Sequence, residues 1–356
     1  MGPKKIEKQF ALLRVALAIL VSLGLAVIII LLVSDTPLAS LRYLLIGPFT
    51  TARRMGNVIE AVIPLLFTGV GVSIMYAAGQ TNMAAEGAFF LGAAGAAGAA
   101  LLPLPPGLHP LVCIAVGGAA GALITAVPAL LYLKCGAKPV VSSLMMNYVA
   151  LYSGLYLINY HFYDPGAGYL CSLPFAETAK LPVLFRGTSI HLGLLLGVLT
   201  VVLGHLFLHR SRGGYAIRAV GMNMNFARYA GIPVASVILS CQLLGGLIAG
   251  AGGAVEVLGM YERFQYQALT NHGFDGILVA IMAKYHPKLV PVSALFLAYV
   301  RVGADIMARM TDVTVEIVYL IQAVIILFVA SEQFLAGWEH RRIVAATEAP
   351  QTREVG

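Results

Sequence analysis

Long apolar runs are the feature that most constrains this chain. A membrane-spanning helix needs about 20 consecutive apolar residues, and runs of that kind follow one another along most of the sequence. Only 11% of the residues are charged, whereas a soluble domain has about a quarter. The sequence therefore predicts an all-α polytopic membrane protein embedded in the lipid bilayer. About ten transmembrane helices are expected, over residues 10–33, 56–78, 83–102, 108–133, 139–161, 189–209, 233–258, 274–284, 290–308 and 315–337.

The eighth of these runs, residues 274–284, is too short to cross a bilayer alone. We therefore expect a broken or re-entrant helix there. Glycine pairs at a spacing of four residues occur in two other runs, Gly117 with Gly121 and Gly246 with Gly250. Such pairs predict helices that approach each other closely.

The distribution of Lys and Arg indicates the orientation. With the N-terminus inside and ten spans, the C-terminus is also inside, and most of the 23 Lys and Arg residues then fall on the cytoplasmic side, as the positive-inside rule requires. Arg42, Arg53 and Arg54 fall on the other side and do not fit this bias. The segment that carries them is therefore expected to lie along the membrane–water interface. Residues 1–338 are expected to form one transmembrane domain, and residues 339–356 a polar cytoplasmic tail.

The basic loop at residues 210–232 is the most informative connection between runs. Its apolar and basic residues recur at roughly helical spacing, with Ile217, Val220, Met224 and Ala227 set against Arg218 and Arg228. One interpretation is a charged hairpin that only fixes topology. The other is a short exposed helix that docks a cytoplasmic partner.

Two similar segments open the third and eighth runs. Thr81-Asn-Met-Ala-Ala-Glu-Gly87 and Thr270-Asn-His-Gly-Phe-Asp-Gly276 both contain Thr-Asn, three further residues, an acid and Gly. A shared helix-start signature explains this, since Thr or Asn caps the first turn and an acid favours the positive end of the helix dipole. The alternative is an inverted repeat that relates spans 2–5 to spans 7–10, a common way to build a transport path.

Polar side chains inside the runs are candidates for a translocation path, because such groups usually face a cavity or a bundle interior. For Glu86 and Asp275, near helix starts, capping is the simpler role. Asn147 is suited either to a hydrogen bond between helices or to contact with a polar solute. The candidate path residues are Asn82, Glu86, Asn147 and Asp275.

Motifs for enzymatic chemistry are missing from the sequence. It contains no Gly-x-x-x-x-Gly-Lys-Ser/Thr nucleotide loop, no His-Glu-x-x-His and no Gly-x-Ser-x-Gly. The eight histidines do not cluster as ligands along the chain. We therefore predict no catalytic residue, metal or cofactor in this chain. Because the positive residues sit between apolar runs, we also expect no nucleic-acid partner.

Four segments together resemble a known family. They are Gly79–Gly87, Lys138–Tyr148, Arg218–Ile232 and Gly273–Ala280, and they follow the family's order. The chain resembles the permease subunits of bacterial ABC importers for simple sugars and nucleosides, and most of all the nucleoside permeases that work with a lipoprotein binding protein. Two departures leave the solute open. The family usually has Phe-Asn-Ile-Gly-Ala-Glu-Gly near residues 81–87, and Gly-Arg-Asn-Pro where this chain has Ala283-Lys-Tyr-His-Pro287.

The resemblance implies a permease domain in the bacterial cell membrane with both termini cytoplasmic. Its implied partners are a cytoplasmic ABC ATPase that binds ATP, a second, related permease chain and an extracytoplasmic solute-binding lipoprotein. One coupling helix over about residues 215–229 would receive the ATPase. The coupling residues would be Tyr215, Arg218, Asn223, Asn225 and Arg228.

Two other functions remain open from the sequence alone. An ion-coupled secondary transporter would use Glu86 or Asp275 as its coupling acid. A membrane scaffold or assembly subunit would have no solute path of its own.

Overall fold

Helices dominate the computed structural model, which describes residues 24–330 except 26 and 186. Isolated bridges pair Tyr163 with Ser172 and Val183 with His191. The helices are α1 Pro37–Leu45, α2 Ala52–Ala77, α3 Ala85–Ala99, α4 Leu108–Cys135, α5 Pro139–His161 and α6 Gly193–Arg210. They continue as α7 Arg212–Met222, α8 Met224–Tyr229, α9 Val234–Met260, α10 His272–Met282, α11 Val290–Met310 and α12 Val315–Ala330.

Six helices of the described residues are long and apolar enough to cross a membrane. They are α2, α4, α5, α6, α9, and α11 with the turn that precedes it. The prediction of an all-α polytopic membrane protein is confirmed, whereas helix length and composition do not support the count of about ten spans. Most of the predicted first span, the end of the last one and the tail 339–356 lie outside the described residues.

Two of the predicted spans are short helices. The third is α3, with 15 residues, and the eighth is α10, with 11 residues. The expectation that the eighth run is too short to cross a bilayer alone is confirmed. α10 begins directly after Asn271, whose φ of 65° is left-handed, and Lys284 and Tyr285 have φ values of 52° and 55° just beyond its end. Left-handed residues do not continue a right-handed helix, so α10 is delimited on both sides.

Close glycine contacts bring α4 against α9. A Cβ atom on Gly121 would overlap the carbonyl oxygen of Gly246, and one on Gly250 would overlap that of Gly117. The same surface continues to α3, where a Cβ atom on Gly92 would overlap the carbonyl oxygen of Gly250. The predicted close approach of helices at these glycines is confirmed.

The described residues fall into two compact units. One contains the chain up to Pro48 together with the chain from Val300 onward, and the other runs from Phe49 to Tyr299. In the first unit the Asp312 carboxylate accepts hydrogen bonds from the Ser34 hydroxyl at 2.8 Å and the Asp35 amide at 2.6 Å. These bonds stabilise the charged form, so they lower the pKa of Asp312. Every candidate functional residue lies in the second unit.

Candidate functional site

The basic loop folds into two short helices, α7 and α8, that meet at Asn223. Ser211 caps α7, because its hydroxyl accepts the Gly214 N–H at 2.9 Å. Asn223 ends α7 in an extended conformation and caps α8, since its side-chain oxygen accepts the Phe226 N–H at 3.0 Å. A helical loop was predicted, but the single helix over about 215–229 is wrong, because the cap at Asn223 divides it.

The underside of this segment rests on the ends of the membrane helices. A Cβ atom on Gly214 would overlap the carbonyl oxygens of Phe207 and Leu208 near the end of α6, and one on Gly221 would overlap that of Ala77 at the end of α2. Apolar side chains complete the contact with α4 and α9; the buried members are Val220, Ala227, Val234 and Ile238, with Tyr132 and Leu133 packed against them. A displacement of the segment would therefore act directly on four membrane helices.

The opposite side of the segment is exposed and carries large apolar residues. Met222 is 88% exposed and Tyr229 is 91% exposed. A cleft of about 380 Å³ separates the two helices; it is lined by Tyr215, Arg218, Ala219, Met222, Asn223 and Phe226. Exposed apolar residues with a polar rim mark protein interaction sites. The sequence prediction missed Met222, Phe226 and Tyr229, although large apolar residues in a basic loop were the available signal.

A second polar region lies where the starts of α3 and α10 meet. Glu86 is fully buried, and its carboxylate accepts four hydrogen bonds from residues just before and within the start of α10. The donors are the Thr270 hydroxyl at 3.2 Å and the N–H groups of Asn271, Gly273 and Phe274 at 2.7, 2.6 and 3.4 Å. Glu86 therefore caps the positive end of α10 from another helix.

Asn147 of α5 holds the start of α3 in a similar way. Its side-chain oxygen accepts the Gly87 N–H at 2.9 Å, and its side-chain nitrogen donates to the Met83 carbonyl oxygen at 3.1 Å. The Ser143 hydroxyl accepts the Met83 N–H at 2.9 Å. Both the oxygen and the nitrogen of the Asn147 side-chain amide are therefore hydrogen-bonded to backbone groups at the start of α3.

Asn82 and Asp275 complete the set of predicted path residues. The Asn82 side chain accepts the Ala84 N–H at 2.9 Å and donates to the Thr125 carbonyl oxygen at 3.2 Å. Asp275 is buried in the first turn of α10. Gly273, two residues earlier, lies so close to Glu86 that a Cβ atom on Gly273 would overlap the Glu86 backbone. The structure thus brings the two similar segments into contact, which the sequence did not predict.

Four tyrosines line one exposed face of α5. Tyr148, Tyr152, Tyr156 and Tyr160 recur every four residues, and each is more than half exposed. At a rise of about 1.5 Å per residue they extend over about 18 Å of the membrane. Tyrosine in membrane proteins gathers at the two interfaces, and a row this long does not fit one interface. The sequence prediction missed this row, although the spacing of four was visible.

A small cavity of about 140 Å³ lies beside this helix. It combines aromatic rings with side-chain amides; the lining residues are Leu155, Ile158, Asn159, Leu170, Phe264, Tyr266 and Gln267. Phe264 and Tyr266 are in edge contact, with ring centroids 5.3 Å apart. This chemistry suits a ligand with both flat apolar surface and hydrogen-bonding groups.

Three histidines that are far apart in the sequence come together at the end of α6. The ring centroids of His205 and His209 lie 4.7 Å apart, and those of His209 and His286 lie 4.3 Å apart. These three histidines, which do not cluster along the sequence, are neighbours in the fold because the chain folds His286 back onto α6.

Comparison with known proteins gives a consistent result. Residues 54–330 match the family described as branched-chain amino acid transport system / permease component. The guanosine ABC transporter permease of Bacillus subtilis is 32% identical, over 88% of this chain and 92% of that protein. The glucose ABC transporter permease of Haloferax volcanii is 30% identical, over 89% of this chain and 87% of that protein. A nucleoside ABC transporter permease of Lactococcus lactis is 26% identical, over 88% of this chain and 89% of that protein. No solved structure matches the chain.

Proposed function

Because this chain belongs to the branched-chain amino acid transport system / permease component family and is a permease subunit of an ABC importer, we propose that it carries a nucleoside, with a simple sugar as the second solute class. Membership in this family favours an ABC permease over the two alternatives, an ion-coupled secondary transporter and a membrane scaffold. Similarity to a guanosine permease over nearly the whole of both chains supports the nucleoside. Similarity to a glucose permease keeps the sugar open.

The proposed arrangement is a single permease domain over residues 1–338 with ten membrane segments, two of them half-length, and both termini in the cytoplasm of a bacterial cell. Residues 339–356 form the cytoplasmic tail. The meeting of α3 and α10 at their N-terminal ends supports an inverted repeat of spans 2–5 and 7–10. Paired half-helices of this kind are common at the centre of transporters.

Family membership implies partnership with an ABC ATPase and a solute-binding protein. We assign the ATPase contact to the α7–α8 segment, on the single observation that the segment rests on four membrane helices and carries an exposed cleft on its opposite side. Tyr215, Arg218, Asn225 and Arg228 face the partner, while Asn223 shapes the segment by capping α8. The partner for the other half of the path is a second, related permease chain, and a lipoprotein delivers the solute.

Reversing two charges in this segment is the test of the ATPase contact. The double variant Arg218→Glu, Arg228→Glu is expected to reach the membrane normally, to lose the ATPase in a pull-down from membranes and to lower uptake at least about tenfold, because two repulsive contacts at an interface cost several kcal/mol. Arg53→Glu, an exposed residue at the start of α2, is the matched control. Unchanged ATPase binding and uptake in the double variant would rule out this assignment.

The four predicted path residues serve the path indirectly in our proposal. The side chains of Asn82, Glu86 and Asn147 form hydrogen bonds with backbone groups at the starts of α3 and α10. Asn82 also donates to the carbonyl oxygen of Thr125 in α4. The three side chains are therefore suited to fixing the two half-helices, with Asp275 in the first turn of one of them. The solute instead passes along the tyrosine face of α5. The tyrosine rings stack on a base or a sugar, and the tyrosine hydroxyls form hydrogen bonds with water or with polar groups of the solute.

Removing rings from the tyrosine face is expected to impair transport. Stacking of a base on an aromatic ring is worth about 1–3 kcal/mol, so Tyr152→Leu and Tyr156→Leu should each lower the uptake efficiency for labelled guanosine about tenfold. Tyr152→Phe and Tyr156→Phe keep the ring and should lose much less. Tyr169→Leu, which alters an exposed tyrosine outside α5, is the control. Full transport by the Leu variants would place the path elsewhere, and competition by unlabelled glucose would reassign the solute.

A further inference from the structure

The histidine cluster at the end of α6 has the composition of a metal site. His205 and His209 are one helical turn apart on α6, and His286 lies in the connection after α10, just before the turn Pro287–Leu289. Each ring offers one nitrogen, and these three nitrogen atoms lie within 4.8 Å of one another. Each of the three histidines is half-buried. Two elements of the fold thus present three imidazoles to one point.

Unused nitrogen atoms in the cluster need an explanation. Nδ1 of His205 and Nδ1 of His286 are both buried and have no hydrogen-bond partner among the described residues. Nδ1 of His209 lies 3.3 Å from the carbonyl oxygen of His205, which leaves its Nε2 for other contacts. Buried nitrogens without partners are uncommon, and a bound ion is one of the standard reasons for them.

We propose that His205, His209 and His286 bind a divalent transition metal of the Zn²⁺ class. Imidazole is a preferred ligand for Zn²⁺, and three protein ligands with water in the fourth position form an established type of site. A Zn–N bond is about 2.0–2.1 Å, so the three nitrogens have to close by roughly an ångström. Small side-chain rotations achieve this at a half-buried site, and the partial exposure admits the water.

Positive side chains around the cluster set the strength of the site. Lys288 and Arg210 act electrostatically on His205, and Arg218 acts on His209. Like charges oppose the arrival of a cation. We therefore expect a dissociation constant in the micromolar range rather than the much tighter binding of a structural zinc site, and removal of Lys288 should tighten it. The proposal does not rest on the transport function or on its solute.

Zinc titration of the full chain, purified in detergent after chelation, tests the site. Calorimetry at pH 7.5 is expected to show one Zn²⁺ per chain. Loss of even an outer partner of a metal ligand costs about 10- to 100-fold in affinity, so His205→Gln, His209→Gln and His286→Gln should each weaken binding by at least about tenfold. Lys288→Gln should strengthen it. His161→Gln, an exposed histidine outside the cluster, is the matched control and should bind as the wild type does.

Cobalt provides a measurement that does not depend on any variant. Co²⁺ added to the wild-type chain should give the intense visible absorption of a four-coordinate site, and Zn²⁺ should remove it by displacement. The proposal would be overturned if the wild-type chain bound no Zn²⁺, if the Co²⁺ spectrum were of the weak octahedral kind, or if all three His→Gln variants bound Zn²⁺ as tightly as the wild type.

Discussion

The Glu86→Gln variant is expected to unfold at a clearly lower temperature than the wild type and to accumulate less in the membrane. The carboxylate accepts four hydrogen bonds at the start of α10, three of them from backbone N–H groups. Gln has nearly the same shape, but its NH₂ group would face donors where an acceptor is needed. Losing a charged acceptor and leaving buried N–H groups unpaired costs about 3 kcal/mol, a large part of a typical folding free energy.

Thermal unfolding of the purified chain in detergent measures this effect, together with the amount of full-length protein in the membrane. Glu177→Gln is the matched control, because Glu177 is an exposed carboxylate whose ion-pair partner is Lys180 at 2.7 Å. Exposed pairs contribute little to stability, so this variant should unfold at the wild-type temperature. If Glu86→Gln were as stable as Glu177→Gln, the capping role of Glu86 would have to be abandoned, and a solute-binding role would regain support.

A single methyl group added at Gly250 is expected to have an effect of similar size. A Cβ atom there would overlap the carbonyl oxygen of Gly117 and lie 2.9 Å from the Cα atom of Gly121. Both contacts are with backbone, so no side chain can turn away, and α4 and α9 must separate. Overpacking of this kind costs about 1–3 kcal/mol, and Gly250→Val should exceed that range and prevent accumulation of the protein.

Gly95→Ala is the matched control for this substitution. Gly95 lies on α3, and a Cβ atom there would be 3.5 Å from the Cβ atom of Ala120, an ordinary contact distance. Alanine is also the better helix former by about 1 kcal/mol. Gly95→Ala should therefore be neutral or slightly stabilising in the same unfolding assay. Equal stability of Gly250→Ala and Gly95→Ala would show that α4 and α9 do not cross as closely as described.

Local patterns in the sequence predicted much of the architecture. The predicted second to ninth runs each coincide with a helix, the tenth does so over its described part, and the short eighth run is the short helix α10. The basic loop predicted a short helical segment, because its apolar and charged residues alternate over a few turns. Its division at Asn223 was missed, since an asparagine in such a loop is compatible with either a continuous helix or a cap.

The sequence by itself determined that this chain resides in a membrane, where its helices lie and which loop is basic. Each of these properties depends on residues that are close together in the chain, through hydrophobicity, helical period and charge. Only the tertiary structure decided that Glu86 caps α10, that Gly250 meets Gly117, and that His286 joins His205. Those contacts bring residues from different helices or loops together, and a single sequence carries no measure of which distant segments pack against each other.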